Sequence, residues 1–226
     1  VASKIGDFAR QREVWEIAYG GKAFPIRRIA ADDYLDDFFF DQDYKLLIGT
    51  ARDSHKGQVI DLDTGKKVAE LDLPGMPHLG SGITWDYRGR QVMATPNMKD
   101  GVVSVIDMQS WKTIKEIKTP GPGFFMRSHE NTPYAWTDGF ATGNPASNDT
   151  MTLIDKQTLE VAHILRPEPG KTAAHVEFSR DGKYALVSIW EMDGALVIYD
   201  TATLKEVKRI PMKKPSGKYN VYNKTT

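Results

Sequence analysis

The chain of 226 residues contains no cysteine. This absence excludes a disulfide framework, thiolate metal sites, a cysteine nucleophile and the covalent attachment of a c-type haem. Its 30 basic residues are balanced by 30 acidic ones, so no excess of positive charge favours a nucleic acid or an anionic membrane surface as a partner. No apolar run approaches the roughly 18 residues of a membrane-spanning helix, and we expect no membrane span.

Several common site motifs are also missing from the sequence. It has no phosphate-binding glycine loop, no zinc-binding helix and no nucleophile elbow. It does have 40% hydrophobic residues, which is enough for a folded core. The sequence begins at Val1 without a recognisable signal peptide, and we expect either processing or a longer polypeptide.

A repeat organises most of the chain. A short apolar strand ending in aspartate recurs at intervals of 46, 48 and 45 residues, at Asp61, Asp107, Asp155 and Asp200. Each copy is preceded by an apolar strand and followed by a polar turn and an alternating strand. Period-two patterning and β-branched residues are typical of antiparallel strands, and four strands per 40–50 residues are typical of a β-propeller blade.

The repeat therefore predicts an all-β fold, a β-propeller of about four to four and a half blades of four antiparallel strands. We place the blades near residues 18–73, 74–119, 120–167 and 168–212 of one propeller segment. Residues 1–17 would end a preceding blade, and residues 213–226 would form a closing tail. Such a number of blades can close as a small ring or form half of a larger one.

Polar residues are predicted at the centre of this propeller. The innermost strands line the channel, so equivalent positions of successive blades converge, and alignment of the repeats places there Asp36, His78, Arg127, His175 and Tyr219. Histidine exchanges protons near neutral pH or ligates metal, and arginine binds carboxylates. The set indicates proton transfer and anion binding, and the alternative is a polar, water-filled lining without chemistry.

Other polar residues are weaker candidates. His129 lies two residues after Arg127 on the same strand face, as a supporting partner of the site or as a hydrogen bonder that caps the strand. His55 falls in a hairpin loop, and His163 faces outward on an outer strand. The acidic run 32–43 lacks the glycine and spacing of a calcium loop, so turn carboxylates are the simpler interpretation.

Three segments carry a resemblance to a known family: Gly121–Asn131, Pro169–Phe178 and Pro215–Asn223. They resemble the haem d1-binding propeller of cytochrome cd-type nitrite reductase and of its relatives in haem d1 biosynthesis. The resemblance runs from about Ala18 to the end of the chain. It implies an eight-bladed periplasmic propeller, of which this chain is the C-terminal half, with the macrocycle across the channel. The family's proximal histidine would lie upstream of Val1.

The resemblance also shows where this sequence departs from the reductase. His78 matches one of the two distal histidines of the reductase, but Asp36 stands at the position of the other. His175 replaces a glutamine, and Tyr219 replaces a phenylalanine. Nitrite reduction needs two proton donors over the iron-bound nitrite, so the change at Asp36 disfavours it. The substitutions resemble those of a paralogue that introduces the acrylate double bond into a dihydro-haem d1 precursor.

The resemblance to this dehydrogenase implies a role for each candidate. Tyr219 and His175 would carry out and support proton abstraction beside the propionate, and His78 would be a distal iron ligand or a proton shuttle. Arg127 would anchor a macrocycle carboxylate. Asp36, His78 and His129 would also contact the cofactor, and His78 is the one metal-ligand candidate.

We therefore predict an oxidoreductase of denitrification that binds haem d1 or its dihydro precursor and converts the precursor to haem d1. The alternatives are a nitrite reductase domain that forms nitric oxide, a haem d1 carrier without catalysis, and a propeller that only binds proteins. We expect a c-type cytochrome domain or nitrite reductase as redox or delivery partner. Any c-type haem must lie outside this sequence, because its attachment needs cysteine.

Overall fold

In the computed structural model of the chain, the described residues are 12–51, 54–73 and 75–216. They form 18 strands and one short 3-10 helix, Leu79–Ser81. Within these ranges no helix has the length and apolarity needed to cross a membrane. The chain divides into two compact units, residues 1–80 and 81–226. The all-β prediction is confirmed.

The first unit contains a two-stranded hairpin and a four-stranded antiparallel sheet. The hairpin consists of β1 (Glu13–Ile17) and β2 (Ile26–Ala30). The sheet follows the order of the chain: β3 (Asp37–Phe40), β4 (Leu46–Thr50), β5 (Lys56–Asp61) and β6 (Lys66–Asp72). Between hairpin and sheet lies an apolar core of Val14, Ile29, Leu35, Leu47 and Ile60.

The boundary of the first blade differs from the sequence-based expectation. A blade starting near residue 18 would separate β1 from β2, but all five residues of β1 pair with β2, from Glu13 opposite Ala30 to Ile17 opposite Ile26. The hairpin is therefore one element, and the first four-stranded sheet begins at Asp37.

The second unit contains three four-stranded antiparallel sheets, each a meander in chain order. The first consists of β7 (Ile83–Tyr87), β8 (Arg90–Pro96), β9 (Val102–Asp107) and β10 (Thr113–Lys118). The second consists of β11 (Met126–Arg127), β12 (Tyr134–Asp138), β13 (Met151–Asp155) and β14 (Glu160–Leu165). The third consists of β15 (Ala173–Phe178), β16 (Tyr184–Ile189), β17 (Ala195–Asp200) and β18 (Glu206–Pro211).

Apolar cores lie between neighbouring sheets of the second unit. Trp136 of the middle sheet is fully buried against Phe178 and Tyr199 of the third sheet, with its ring 6.1 Å from each. Burial of each large side chain of this kind stabilises the fold by about 1.5–3 kcal/mol. The fourth strand of each sheet is largely exposed, because it lies at the edge of its sheet.

The recurring aspartate of the sequence is a turn residue. It ends the third strand of each sheet, and its carboxylate accepts backbone N–H groups from residues two or three positions later, as when Ser110 donates to Asp107 over 2.7 Å. The backbone N–H four positions later donates to the carbonyl of the aspartate. The residue four positions after the aspartate has a positive φ in all four turns; these residues are Gly65, Trp111, Leu159 and Leu204. The aspartate therefore recurs because the same turn joins the third and fourth strands of each sheet.

Candidate functional site

Arg127 ends β11 and forms a buried ion pair with Glu177 of β15. The Nε of Arg127 lies 3.7 Å from Oε2 of Glu177, and the two residues are only 4% and 5% exposed. Nη1 of Arg127 also donates to the carbonyl of Met126 over 2.8 Å. Oε1 of Glu177 accepts the backbone N–H of Phe178 over 3.0 Å. The predicted carboxylate anchor is therefore held by an internal carboxylate, where low dielectric strengthens the attraction.

His175 occupies an irregular position in β15. The pairing of β15 with β16 shifts register between Ala174 and Glu177, which is a β-bulge. His175 lies inside it with a φ of 54°, a left-handed conformation that is uncommon outside glycine. The residue is only 2% exposed. Bulges redirect side chains and are frequent beside active sites, so the backbone itself sets His175 apart from the regular strand.

Asp138 ends β12 and joins this bulge to a neighbouring loop. Its carboxylate is fully buried and accepts three backbone N–H groups, from Phe124 over 2.7 Å, from Phe125 over 3.1 Å and from His175 over 3.1 Å. Asp138 was not among the residues predicted from the sequence. The signal for it is a carboxylate at the end of the otherwise neutral strand Tyr134–Asp138, because a buried charge needs strong partners.

Four half-buried aromatic residues lie beside His175, and these were not predicted from the sequence either. The members are Phe124, Phe125, Phe140 and Trp190, called here the aromatic cluster. The ring of Phe125 meets the imidazole of His175 edge to face, with centroids 4.2 Å apart. The rings of Phe140 and Trp190 are 5.7 Å apart. Such a cluster offers flat apolar surface for a planar ligand.

The start of β15 is fixed by Glu191. Its carboxylate accepts the backbone N–H of Thr172 over 3.1 Å, and hydrogen bonds from the hydroxyl and the backbone of Thr172 hold the pKa of Glu191 below its ordinary value. The ammonium of Lys214 lies 5.2 Å from the ring centre of Trp190. A cation therefore stands at the rim of the aromatic cluster.

In the first unit, Asp36 and His78 lie in two connected segments. Asp36 immediately precedes β3 and donates its backbone N–H to the carbonyl of Thr50 over 3.1 Å. Its neighbour Asp37 accepts the backbone N–H of Gly80, two residues after His78, over 2.9 Å. Both Asp36 and His78 are half-buried.

A haem iron receives four ligands from its macrocycle, so the protein needs to supply only one or two further ligands. The predicted role of His78 is of this kind. Over residues 12–51, 54–73 and 75–216 no group of three or more His, Cys, Asp or Glu side chains is placed to hold a separate metal ion. The predicted residue Tyr219 lies outside the described residues.

The ring of His129 is engaged in backbone hydrogen bonds. Its Nε2 lies 3.0 Å from the carbonyl of Arg180, and its Nδ1 accepts the N–H of Asn131 over 3.1 Å. The side chain thus links two turns, which fits the strand-capping alternative, and its cofactor contact stays a prediction. His163 is exposed and lies 3.3 Å from the hydroxyl of Tyr134.

Comparison with known proteins identifies similar chains. Residues 5–224 match the Cytochrome D1 heme domain family. Over 94% of its length the chain is 61% identical to a dihydro-heme d1 dehydrogenase of Pseudomonas aeruginosa, of which it covers 43%. Over 86% of its length it is 27% identical to a nitrite reductase of Stutzerimonas stutzeri, of which it covers 40%. The chain thus spans less than half the length of these relatives.

The chain also superposes on solved structures. The chain superposes on dihydro-heme d1 dehydrogenase NirN in complex with DHE with a TM-score of 0.89 at 60% identity, over 95% of this chain and 46% of that one. Hydrazine synthase of Kuenenia stuttgartiensis shares the fold alone, with a TM-score of 0.66 at 18% identity. The prediction of a partial β-propeller is confirmed. With nearly its whole length matched by one family, the chain belongs to the cytochrome D1 heme domain family.

Proposed function

We propose that this chain is the substrate-binding part of an enzyme that oxidises dihydro-haem d1 to haem d1. The observation that carries the proposal is the position of His175. It lies on a bulge that departs from the regular strand, with its imidazole against Phe125 and with Arg127 on a neighbouring strand. The 61% identity to a dihydro-heme d1 dehydrogenase supports the same reaction.

The chemistry of the residues fits a d1-type macrocycle. Such a ligand is planar, apolar on its faces and negatively charged at its carboxylates. The aromatic cluster supplies flat apolar contacts, and the guanidinium of Arg127 supplies a fork that matches a carboxylate. Because Arg127 and His175 are buried, a low dielectric would strengthen their electrostatic contacts with the ligand.

The reaction removes two protons and two electrons from the saturated propionate side chain. The bound macrocycle supplies the conjugated system through which the electrons leave, to an external acceptor that we infer is a c-type cytochrome domain. His175 and Tyr219 take up and relay the protons, since an imidazole exchanges protons near neutral pH. Arg127 would orient the propionate by its carboxylate, and the role expected for His78, as an iron ligand or a proton relay, rests on the family resemblance.

We infer that the protein works in the periplasm and exchanges electrons or product with a c-type cytochrome or with nitrite reductase. The resemblance of its tail and inner strands to periplasmic haem d1 proteins supports this placement. A cell fractionation that recovers the full-length protein with a periplasmic marker supports it. Recovery with a cytoplasmic marker contradicts it.

One set of assays distinguishes the dehydrogenase from its alternatives. The full-length protein is incubated anaerobically with dihydro-haem d1 and an electron acceptor, and the mass of the extracted macrocycle is measured by mass spectrometry. The proposal predicts a product lighter by two hydrogen atoms. Binding without conversion indicates a carrier, nitric oxide formed from nitrite and reductant indicates a nitrite reductase, and an unchanged absorbance spectrum indicates a protein-binding propeller. Each of these three results contradicts the proposal.

A further inference from the structure

We propose that Asp138 is a positioning residue that fixes the orientation of the His175 imidazole. The proposal rests on the proposed function of His175 in proton transfer. Asp138 acts through His175, because its carboxylate binds the backbone of His175 and two neighbouring backbone N–H groups.

The two carboxylate oxygens of Asp138 accept hydrogen bonds from different segments of the chain. Oδ1 accepts the N–H groups of Phe124 and Phe125, and Oδ2 accepts that of His175, with a longer contact of 3.3 Å to Phe125. Hydrogen bonds to an ionised acceptor are about twice as strong as neutral ones. Because the carboxylate is fully buried, bulk solvent has no access to it. One side chain thus fastens the loop of Phe124 and Phe125 to the bulge of His175.

The conformation of His175 needs such a constraint. A non-glycine residue with a φ of 54° occupies a sparsely populated region and remains there only where its surroundings impose it. Asp138 receives the N–H of His175 at the register shift of β15. If this acceptor is lost, the residue can relax toward an extended conformation. Successive side chains of an extended strand point to opposite faces, so the imidazole would turn away from its present position.

Phe125 provides the second half of the constraint. Its ring packs edge to face on the imidazole of His175, with centroids 4.2 Å apart, and its backbone N–H is bound by the same carboxylate. Asp138 therefore fixes both the backbone of His175 and the ring against which the imidazole rests. Arg127 and Glu177 pair with each other through their own contact, so the anchor for a substrate carboxylate should survive the loss of Asp138.

The test is Asp138→Asn in the full-length protein, because this change keeps the shape but replaces one acceptor oxygen by a donor group. We expect kcat for dihydro-haem d1 oxidation to fall about ten- to a hundredfold. The Kd of the macrocycle should change less than about threefold. A second readout needs no ligand: hydrogen–deuterium exchange at the amides of Phe124, Phe125 and His175 should accelerate about tenfold or more.

Asp107→Asn is the matched control. Asp107 is also buried and also accepts backbone N–H groups, from Gln109 and Ser110, but it ends β9 and binds only the hairpin turn that follows. The substitution Asp107→Asn should lower the stability of the protein but leave kcat unchanged. If Asp138→Asn folds and keeps both the wild-type kcat and the wild-type exchange, the proposal is overturned. A wild-type protein that forms no haem d1 would instead contradict the proposed function.

Two further measurements apply if Asp138→Asn does not fold. In the wild-type protein, slow exchange at the amides of Phe124, Phe125 and His175 supports the proposal, whereas rapid exchange at His175 overturns it. Asp138→Ser, which keeps a small acceptor, provides a milder variant. When Asp138→Ser is added to His175→Ala, kcat should fall little further, because Asp138 acts through the imidazole. A full additional loss of kcat would overturn the proposal.

Discussion

Arg127 and Glu177 face each other across two neighbouring strands, with Nε and Oε2 3.7 Å apart and both side chains more than nine-tenths buried. Removal of two charges from water costs free energy that their mutual attraction must offset. The intact pair can therefore contribute little to the free energy of unfolding, whereas removal of one partner lowers that free energy strongly. The pair also holds in place the guanidinium that the proposed function assigns as a carboxylate anchor.

Loss of Glu177 should destabilise the protein strongly. We expect Glu177→Ala to lower the free energy of unfolding by about 3 kcal/mol, because it leaves the buried charge of Arg127 without its carboxylate. Urea unfolding monitored by tryptophan fluorescence measures the change. As a control, Asp193→Ala removes an exposed partner of Lys171 and should have almost no effect. Equal effects of the two substitutions would contradict the interpretation.

Gly182 should be sensitive to a single methyl group. Its φ is +70°, and a Cβ built there would lie 2.4 Å from Nδ1 of His129. Gly170 has a similar φ of +82° but open space around it. We expect Gly170→Ala to cost about 1 kcal/mol from backbone strain alone. Gly182→Ala should cost about 2–4 kcal/mol, because it also displaces the ring of His129.

A second variant separates strain from collision at Gly182. In a His129→Ala background the collision is absent, so Gly182→Ala should then cost about as much as Gly170→Ala. Thermal unfolding of the four variants and the wild type measures these differences. If the cost of Gly182→Ala is the same with and without the histidine, the capping contact of His129 does not constrain the turn.

Asp107 should contribute to acid sensitivity. Hydrogen bonds from the backbone and hydroxyl of Ser110 hold the pKa of Asp107 below its ordinary value, so its contribution to stability is complete above about pH 4. That contribution is lost as the pH falls through the lower pKa of the folded protein. Asp107→Asn should therefore reduce stability at pH 7 and flatten the decline below pH 4. Parallel wild-type and variant curves from urea unfolding across this range would contradict the assignment.

The aromatic cluster should determine macrocycle affinity. Phe140 stacks on Phe125 and meets Trp190 edge to face, so Phe140→Leu removes a flat ring but keeps apolar volume. We expect the Kd of dihydro-haem d1 to rise about tenfold, as measured by absorbance titration. Tyr87→Leu, in β7 and outside the cluster, is the control and should leave the Kd unchanged. Unchanged affinity in Phe140→Leu would exclude the cluster from the binding site.

The sequence was sufficient to predict the sheets, because the information that specifies them is local. Asp107 and its equivalents cap turns by contacts within three residues, so the aspartate recurs wherever a third strand ends. The placement of His175 in the first strand of a sheet was likewise predictable from the repeat. The family resemblance added the expected ligand class, whereas the residues alone left open whether the channel performs proton chemistry or is only a solvated lining.

The bulge at His175 and its support by Asp138 could not be predicted in this way. Asp138 and His175 are 37 residues apart, and Arg127 and Glu177 come from different sheets. These contacts depend on how the sheets pack. The pairing of β2 with β1 was missed for a related reason, because repeat spacing gives the length of a blade but not the strand at which it begins.

The most direct test of the account concerns His175 itself. The rate of double-bond formation is measured with saturating dihydro-haem d1 for the full-length wild-type protein and for His175→Gln, after absorbance titration has shown equal macrocycle occupancy. We expect the variant to bind the macrocycle but to form the double bond about 10²–10⁴-fold more slowly, because glutamine cannot accept a proton. A wild-type rate in the fully occupied variant would contradict the assignment of His175 to proton transfer.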